Sequence, residues 1–135
     1  MYILDTNVVS ELRRPRPHGG VIAWISTLES SKLNLAGVTV GEIQTGIERG
    51  REHDAAKATE IEGWLVDLIR SVTVLPMTAD TFRIWARYMH RKPAHISGDA
   101  MIAATATQYG LTIATRNVRD FEQFPVSLLN PFDKS

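Results

Sequence analysis

The chain has 135 residues, 15 Lys and Arg against 15 Asp and Glu, and no cysteine. Its length suits one domain with a real core, spanning 1–135. Its balanced charge leaves any nucleic-acid site to local clustering. The missing cysteines exclude disulfides, thiolate zinc centres and a cysteine nucleophile.

"YILD" reads as a buried first strand and "TNVVSELRR" as a short helix with Asn7 as its cap. "RPRPHGG" reads as a loop whose prolines and glycines do not continue a helix. "VIAWISTLE" has helical spacing at Val21, Trp24, Ile25 and Leu28. "KLNLAG" is a second strand, and "TVGEIQTGIERG" a helix ending at Gly50. Residues 54–70 form an amphipathic helix with Ile61, Leu65, Leu68 and Ile69 on one face. "VTVLP" is a third strand. "TADTFRIWARYMHRK" is a helix with Phe82, Trp85, Ala86 and Met89 facing inward. "SGDAMIAATATQYG" is an alanine-rich helix closed by Gly110. "LTIAT" is a fourth strand, "NVRDFEQF" a turn or short helix, and "VSLLN" a last strand. "MYIL" is too short for a signal-peptide core, and no run approaches the ~20 apolar residues of a membrane span, so the expected location is cytoplasmic.

Short apolar strands alternating with helices predict an α/β fold with a central parallel sheet covered on both faces. Ligands of such folds sit beyond the carboxyl ends of the strands. There the sequence places Asp5 after strand one, Glu42 in the helix after strand two, Asp99 opening the helix before strand four, and Thr115, Arg116, Asn117 and Asp120 after strand four. Each acid also has a structural explanation. Thr39 and Glu42 have capping-box spacing, Asp99 suits a helix dipole, and Asp120 suits a turn. Asp5 does not fit this pattern, because a carboxylate at the end of a buried strand is costly unless paired. Capping alone does not ask for acids at several strand ends of one sheet. Converging like charges repel strongly, and a hard divalent cation, Mg²⁺ or Mn²⁺, relieves them. Such a cation activates water and steadies the leaving oxygen of a phosphodiester.

His18, His53, His90 and His95 lack metal-ligand spacing, and no serine has a triad arrangement. Basic residues cluster at Arg13, Arg14 and Arg16, and again at Arg83, Arg87 and Arg91. Either stripe reads as a solvated face or as a phosphate track, and the first, with Arg116, is the better candidate for RNA.

"LDTNVVSEL", "VTVGEIQTGI", "SGDAMIAATA", "LTIATRNVRDF" and the closing "NPF" together resemble the PIN-domain ribonucleases, and among them the VapC- and FitB-type toxins of bacterial toxin–antitoxin pairs. The resemblance runs through the whole chain in order. It implies a three-layer α/β/α fold and a metal-dependent endoribonuclease using Mg²⁺ or Mn²⁺. It also implies a homodimer, an RNA substrate and inhibition by a DNA-binding, VapB-like antitoxin. Its acidic positions fall on Asp5, Glu42 and Asp99. Its fourth, often Asp, is Asn117 here, with Asp120 close enough to compensate. Thr6, Asn7 and Thr115 match positions that orient the acids or water.

Two other enzyme-like folds fit less well. A receiver-type phosphoacceptor domain needs paired acids after strand one and a lysine after the last strand, and a haloacid-dehalogenase-like phosphatase needs Asp-x-Asp where this chain has Asp5 and Asn7. A non-catalytic RNA- or metal-binding module remains as the alternative.

Overall fold

The computed structural model describes residues 1–133. Five short parallel strands form one sheet: β1 (Tyr2–Leu4), β2 (Leu33–Ala36), β3 (Thr73–Leu75), β4 (Thr112–Ala114) and β5 (Leu128–Leu129), in the order β3-β2-β1-β4-β5. Seven α-helices flank it: α1 (Thr6–Arg13), α2 (Gly19–Ser26), α3 (Gly37–Arg51), α4 (Ala55–Ser71), α5 (Ala79–Met89), α6 (Ser97–Tyr109) and α7 (Val118–Phe121). Three short 3-10 turns complete the described chain. This is the α/β, three-layer α/β/α PIN-like arrangement with a central parallel sheet that the sequence led us to expect.

Strand alternation sorts side chains to the two faces. Ile3 pairs with Ile113, and both enter a core with Ala36, Ala100, Ala103 and Phe121. Leu4 pairs with Ala114, one residue on, and both enter the opposite core with Val8, Val21, Trp24 and Leu35. The small residues Ala100, Ala103 and Ala106, all buried, let α6 lie close against the first face.

The chain runs outward from β1 through β2 to β3, then returns to place β4 on the other side of β1. The reversal leaves a crevice beyond the carboxyl ends of β1 and β4, where doubly wound folds bind ligands. Asp5 and Thr115 are the residues that directly follow those two strands.

Three local expectations are corrected. Helix α2 begins at Gly19, inside the expected loop, because the His18 imidazole caps it: Nδ1 accepts the Gly20 N–H at 3.0 Å. On α4, Ile69 is exposed while Trp64 and Leu68 pack inward. On α5, Phe82 and Ala86 are exposed; Thr81 is buried, and Ile84, Trp85, Tyr88 and Met89 are half-buried. The inward stripe thus turns by about one residue from the expected one. That stripe packs Trp85, Tyr88 and Met89 onto the core, and at the helix start Thr81 pairs its hydroxyl with Thr78 in a capping box. Gly110 ends α6 as expected, at φ 65°, a left-handed conformation that glycine adopts without strain.

Candidate active site

Asp5 is the centre of the arrangement. Rigid pairing fixes its backbone, whose N–H donates to the Ala114 carbonyl at 2.9 Å. Only 5% of the residue is exposed. Its Oδ1 accepts the Thr6 N–H at 2.8 Å, so Asp5, and not Asn7, is the N-cap of α1. Its Oδ2 accepts two further bonds, from Thr115 Oγ1 at 2.7 Å and from Asn7 Nδ2 at 2.9 Å.

The surrounding residues hold Asp5 in place. Thr115 is fully buried, and its hydroxyl accepts the Asn117 N–H at 2.9 Å, which leaves its own hydrogen for Asp5. Asn7 spans the two central strand ends: it donates to Asp5 and accepts the Arg116 N–H on Oδ1 at 3.2 Å. Thr6 Oγ1 donates to Glu42 Oε1 at 3.3 Å and so links the first acid to the second. All three supporting residues expected from the sequence therefore engage an acid.

The capping-box reading of Glu42 does not hold. Helix α3 starts at Gly37 with Ala36 as its cap and no side-chain capping bond, which puts Thr39 in the first turn and Glu42 in the second. Glu42 instead reaches the start of α6. A Cβ added at Gly98 would stand 3.6 Å from its carboxylate, in ordinary contact, and Asp99 is the next residue. The start of α6 is itself held by Trp85, whose Nε1 donates to the Ser97 carbonyl at 3.3 Å. Trp85 read from the sequence as plain core; only its indole N–H, and no spacing, hinted at more.

The electrostatics follow from this convergence. Burial pushes the Asp5 carboxyl above its ordinary range, its three hydrogen bonds pull it back, and the charge of Asp120 adds to the rise. Glu42 is raised by burial and then by Asp5, against the Thr6 bond. Asp99 is pushed up to about 6, by burial first and then by Asp5, Asp120 and Glu42, with His95 opposing. Each of these acids feels another, and no ion pair reaches any of them among the described residues.

The remaining expected site residues are placed less centrally. Asp120 is exposed on α7, yet its charge reaches both Asp5 and Asp99. Asn117 is exposed, forms no side-chain cap for α7, and contributes its backbone N–H to Thr115. Arg13 lines a cavity of about 290 Å³ with Thr6, Ser10 and Glu42. Arg14 is committed to Glu11 at 3.4 Å. Arg16 is exposed on the following loop, and Arg116 lies over the Phe132 ring.

The donor set is all oxygen, as a hard cation requires. Among the described residues no three His, Asp or Glu side chains stand as a ready-made metal cage. Mg²⁺ does not ask for one, since it keeps several waters and takes only one or two carboxylates directly. Mutually repelling acids that lack a counter-charge fit such an ion.

Residues 2–126 match the PIN domain profile. Toxin FitB of Neisseria gonorrhoeae is 32% identical over 139 residues, covering 98% of this chain and 99% of that protein. VapC ribonuclease Y4jK of Sinorhizobium fredii is 33% identical over 142 residues, covering 98% and 99%. A solved structure of FitAB bound to an IR36 DNA fragment superposes with a TM-score of 0.75 at 30% identity, covering 98% of this chain and 96% of that one. The match in sequence along nearly the whole length and the same sheet and helix layout agree: the chain belongs to the PIN domain family and is similar within it to the FitB and VapC toxins.

Proposed function

We propose that the chain is a divalent-metal-dependent endoribonuclease, the toxin of a toxin–antitoxin pair. The observation that carries the reading is the convergence of Asp5, Glu42, Asp99 and Asp120 beyond one edge of the sheet: Asp5 raises Glu42 and Asp99, Asp120 raises Asp5 and Asp99, and no ion pair reaches any of the four among the described residues. The relatives named a toxin and a VapC ribonuclease support the substrate class.

Asp5, Glu42 and Asp99 would hold Mg²⁺ or Mn²⁺, with Asp120 supplying the outer negative charge that Asn117 lacks. The bound cation would lower the pKa of a water and neutralise charge on a phosphodiester. Thr115 and Asn7 occupy Oδ2 and fix the rotamer of Asp5, which leaves Oδ1, with one bond from the Thr6 N–H, as the oxygen open to a cation. Thr6 does the same for Glu42. The raised proton affinity of Asp99 belongs to the metal-free site; a bound cation would favour its carboxylate form. No covalent intermediate is needed.

The solved FitAB pair carries DNA. By likeness, this chain would bind a DNA-binding antitoxin of the VapB kind that places a basic side chain, best an arginine, among the acids. Assembly as a homodimer in the cytoplasm belongs to the same reading. The test is cleavage of single-stranded and structured RNA with Mg²⁺ or Mn²⁺ and with EDTA. Cleavage should need the metal, and full activity in EDTA overturns the reading.

A further inference from the structure

The closing Asn130, Pro131 and Phe132 take no part in the acid site, yet they hold a residue that borders it. Asn130 Oδ1 accepts the Phe132 N–H at 2.9 Å, and the buried Pro131 between them restricts the backbone. The turn presents the Phe132 ring to two partners. One is His18, with ring centroids 5.1 Å apart and planes tilted by 59°. The other is the Arg116 guanidinium, 4.4 Å from the ring centroid. His18 is itself fixed, since it caps α2 through Nδ1 and donates its backbone N–H to Glu11 Oε1 at 2.8 Å.

Arg116 is anchored on both sides to the groups that hold Asp5. Its own N–H donates to Asn7 Oδ1, and the next N–H, of Asn117, donates to the Thr115 hydroxyl. Its side chain is exposed and forms no ion pair among the described residues, although four carboxylates share this edge of the sheet. Among the described residues no carboxylate takes its guanidinium, which lies over the Phe132 ring instead. The ring offers a competing seat, and a cation over an aromatic face gains ~0.5–1 kcal/mol at an exposed site. A guanidinium seated this way keeps its in-plane N–H donors available, a geometry that matches a phosphate.

We propose that Arg116 binds a phosphate of the RNA strand entering the acid site, and that Phe132 is the positioning residue that keeps Arg116 off the acids and available. This rests on the endoribonuclease reading. An acidic site repels a polyanion, so the strand needs a cation fixed at the rim. Arg116 forms no ion pair among the described residues and is backbone-anchored to the group that holds Asp5.

The experiment uses a short fluorescent single-stranded RNA, bound in EDTA over a salt series, with kcat and KM then measured in Mn²⁺. Arg116→Gln should weaken binding about fivefold and should reduce the slope of log K against log salt by ~0.7, one phosphate on a single strand. Phe132→Leu should move the same two quantities in the same direction and raise KM with kcat unchanged. Phe132→Tyr should restore both. The double variant should bind no more weakly than Arg116→Gln alone. An unchanged salt slope in Arg116→Gln overturns the proposal, even if Phe132→Leu does not fold. Additive losses in the double variant overturn the role of Phe132. If the parent binds RNA with this pattern but never cleaves it, the endoribonuclease reading fails and the phosphate clamp stands. If the parent binds no RNA, both fail.

Discussion

Helix α3 carries two glutamates in opposite electrostatic circumstances. Glu48 receives Arg51 at 3.0 Å and Gln44 at 2.7 Å, and these bonds hold its carboxyl below the ordinary range. Arg51 also reaches Glu62 on α4 at 2.9 Å, so the α3–α4 junction brings its own cation. Glu42, less than two turns earlier, forms no ion pair among the described residues, takes one bond from the Thr6 hydroxyl, and has its carboxyl raised by burial and by Asp5. The same residue type on the same helix therefore splits by what the fold sets beside it. One cluster brings its own cation, and no ion pair reaches the other among the described residues.

The largest test of that difference is Asp5→Asn. Asparagine caps a helix as well as aspartate does, so α1 should persist. The cation, however, loses its central charged ligand. RNA cleavage should fall by more than ~100-fold, since outer-shell partners of metal ligands alone cost ~10–100-fold. Retained activity would remove Asp5 from the site. Thr115→Val should come next. It keeps the shape but deletes the bond to Asp5 and strands the Asn117 N–H, with an expected ~10–100-fold loss of activity and ~1–3 kcal/mol of stability. Thr115→Ser should recover most of the activity. Recovery of stability without activity would make the hydroxyl merely structural.

The cluster with its own cation was hidden in the sequence and the other was visible, for physical reasons. Asp5 was legible because a strand so short and apolar buries whatever follows it. The order of strands and helices was legible because each apolar run is separated by a glycine, proline or capping residue. The facing of α5 was not, because both Phe82 and Trp85 fit a 3.6-residue period and only packing against the core picks Trp85, Tyr88 and Met89 over Phe82. The start of α2 was missed because an imidazole did the capping usually left to Ser, Thr, Asp or Asn. Thr39 and Glu42 had the right spacing for a box, but the helix begins earlier, at Gly37, and the spacing acquires another meaning. The Arg51 network and the Arg116–Phe132 seat join residues across the fold, and no local pattern announces either.

Asp99→Asn probes the acid cluster through stability. In EDTA the parent carries an acid whose proton affinity is raised on folding, from an ordinary 3.8 to about 6. A raised acid favours the folded state when protonated. Its stabilisation is complete below 3.8 and is lost as pH rises through about 6. The parent's melting temperature should therefore fall as pH rises from 3.8 to about 6 and level off above, and that of Asp99→Asn should fall less. Excess Mg²⁺ should raise the parent by the linkage of preferential binding, ~2.7 kcal/mol at a hundredfold excess over Kd, and raise the variant much less. Equal pH slopes and equal metal responses would return Asp99 to the role of a helix-terminus charge.

The smallest effect is expected where the cluster brings its own cation. Arg51→Ala leaves Glu48 and Glu62 without their shared cation. These groups are at the surface, where water and salt screen the interaction, so the melting temperature should drop only slightly and the drop should vanish at high salt. The pH dependence carries the opposite sign to that of Asp99. Glu48 is lowered on folding from an ordinary 4.5, so its contribution is present above that value and is lost as pH falls. Parent and Arg51→Ala should therefore differ at pH 7 and converge in acid, while the Asp99 pair should be closest in acid and separate as pH rises through about 6. Mg²⁺ should stabilise Arg51→Ala as much as the parent, and RNA cleavage should be unchanged. A variant whose metal response fell with Arg51 would mean that the two ends of α3 form one electrostatic unit, and the contrast between Glu42 and Glu48 would be one of degree only.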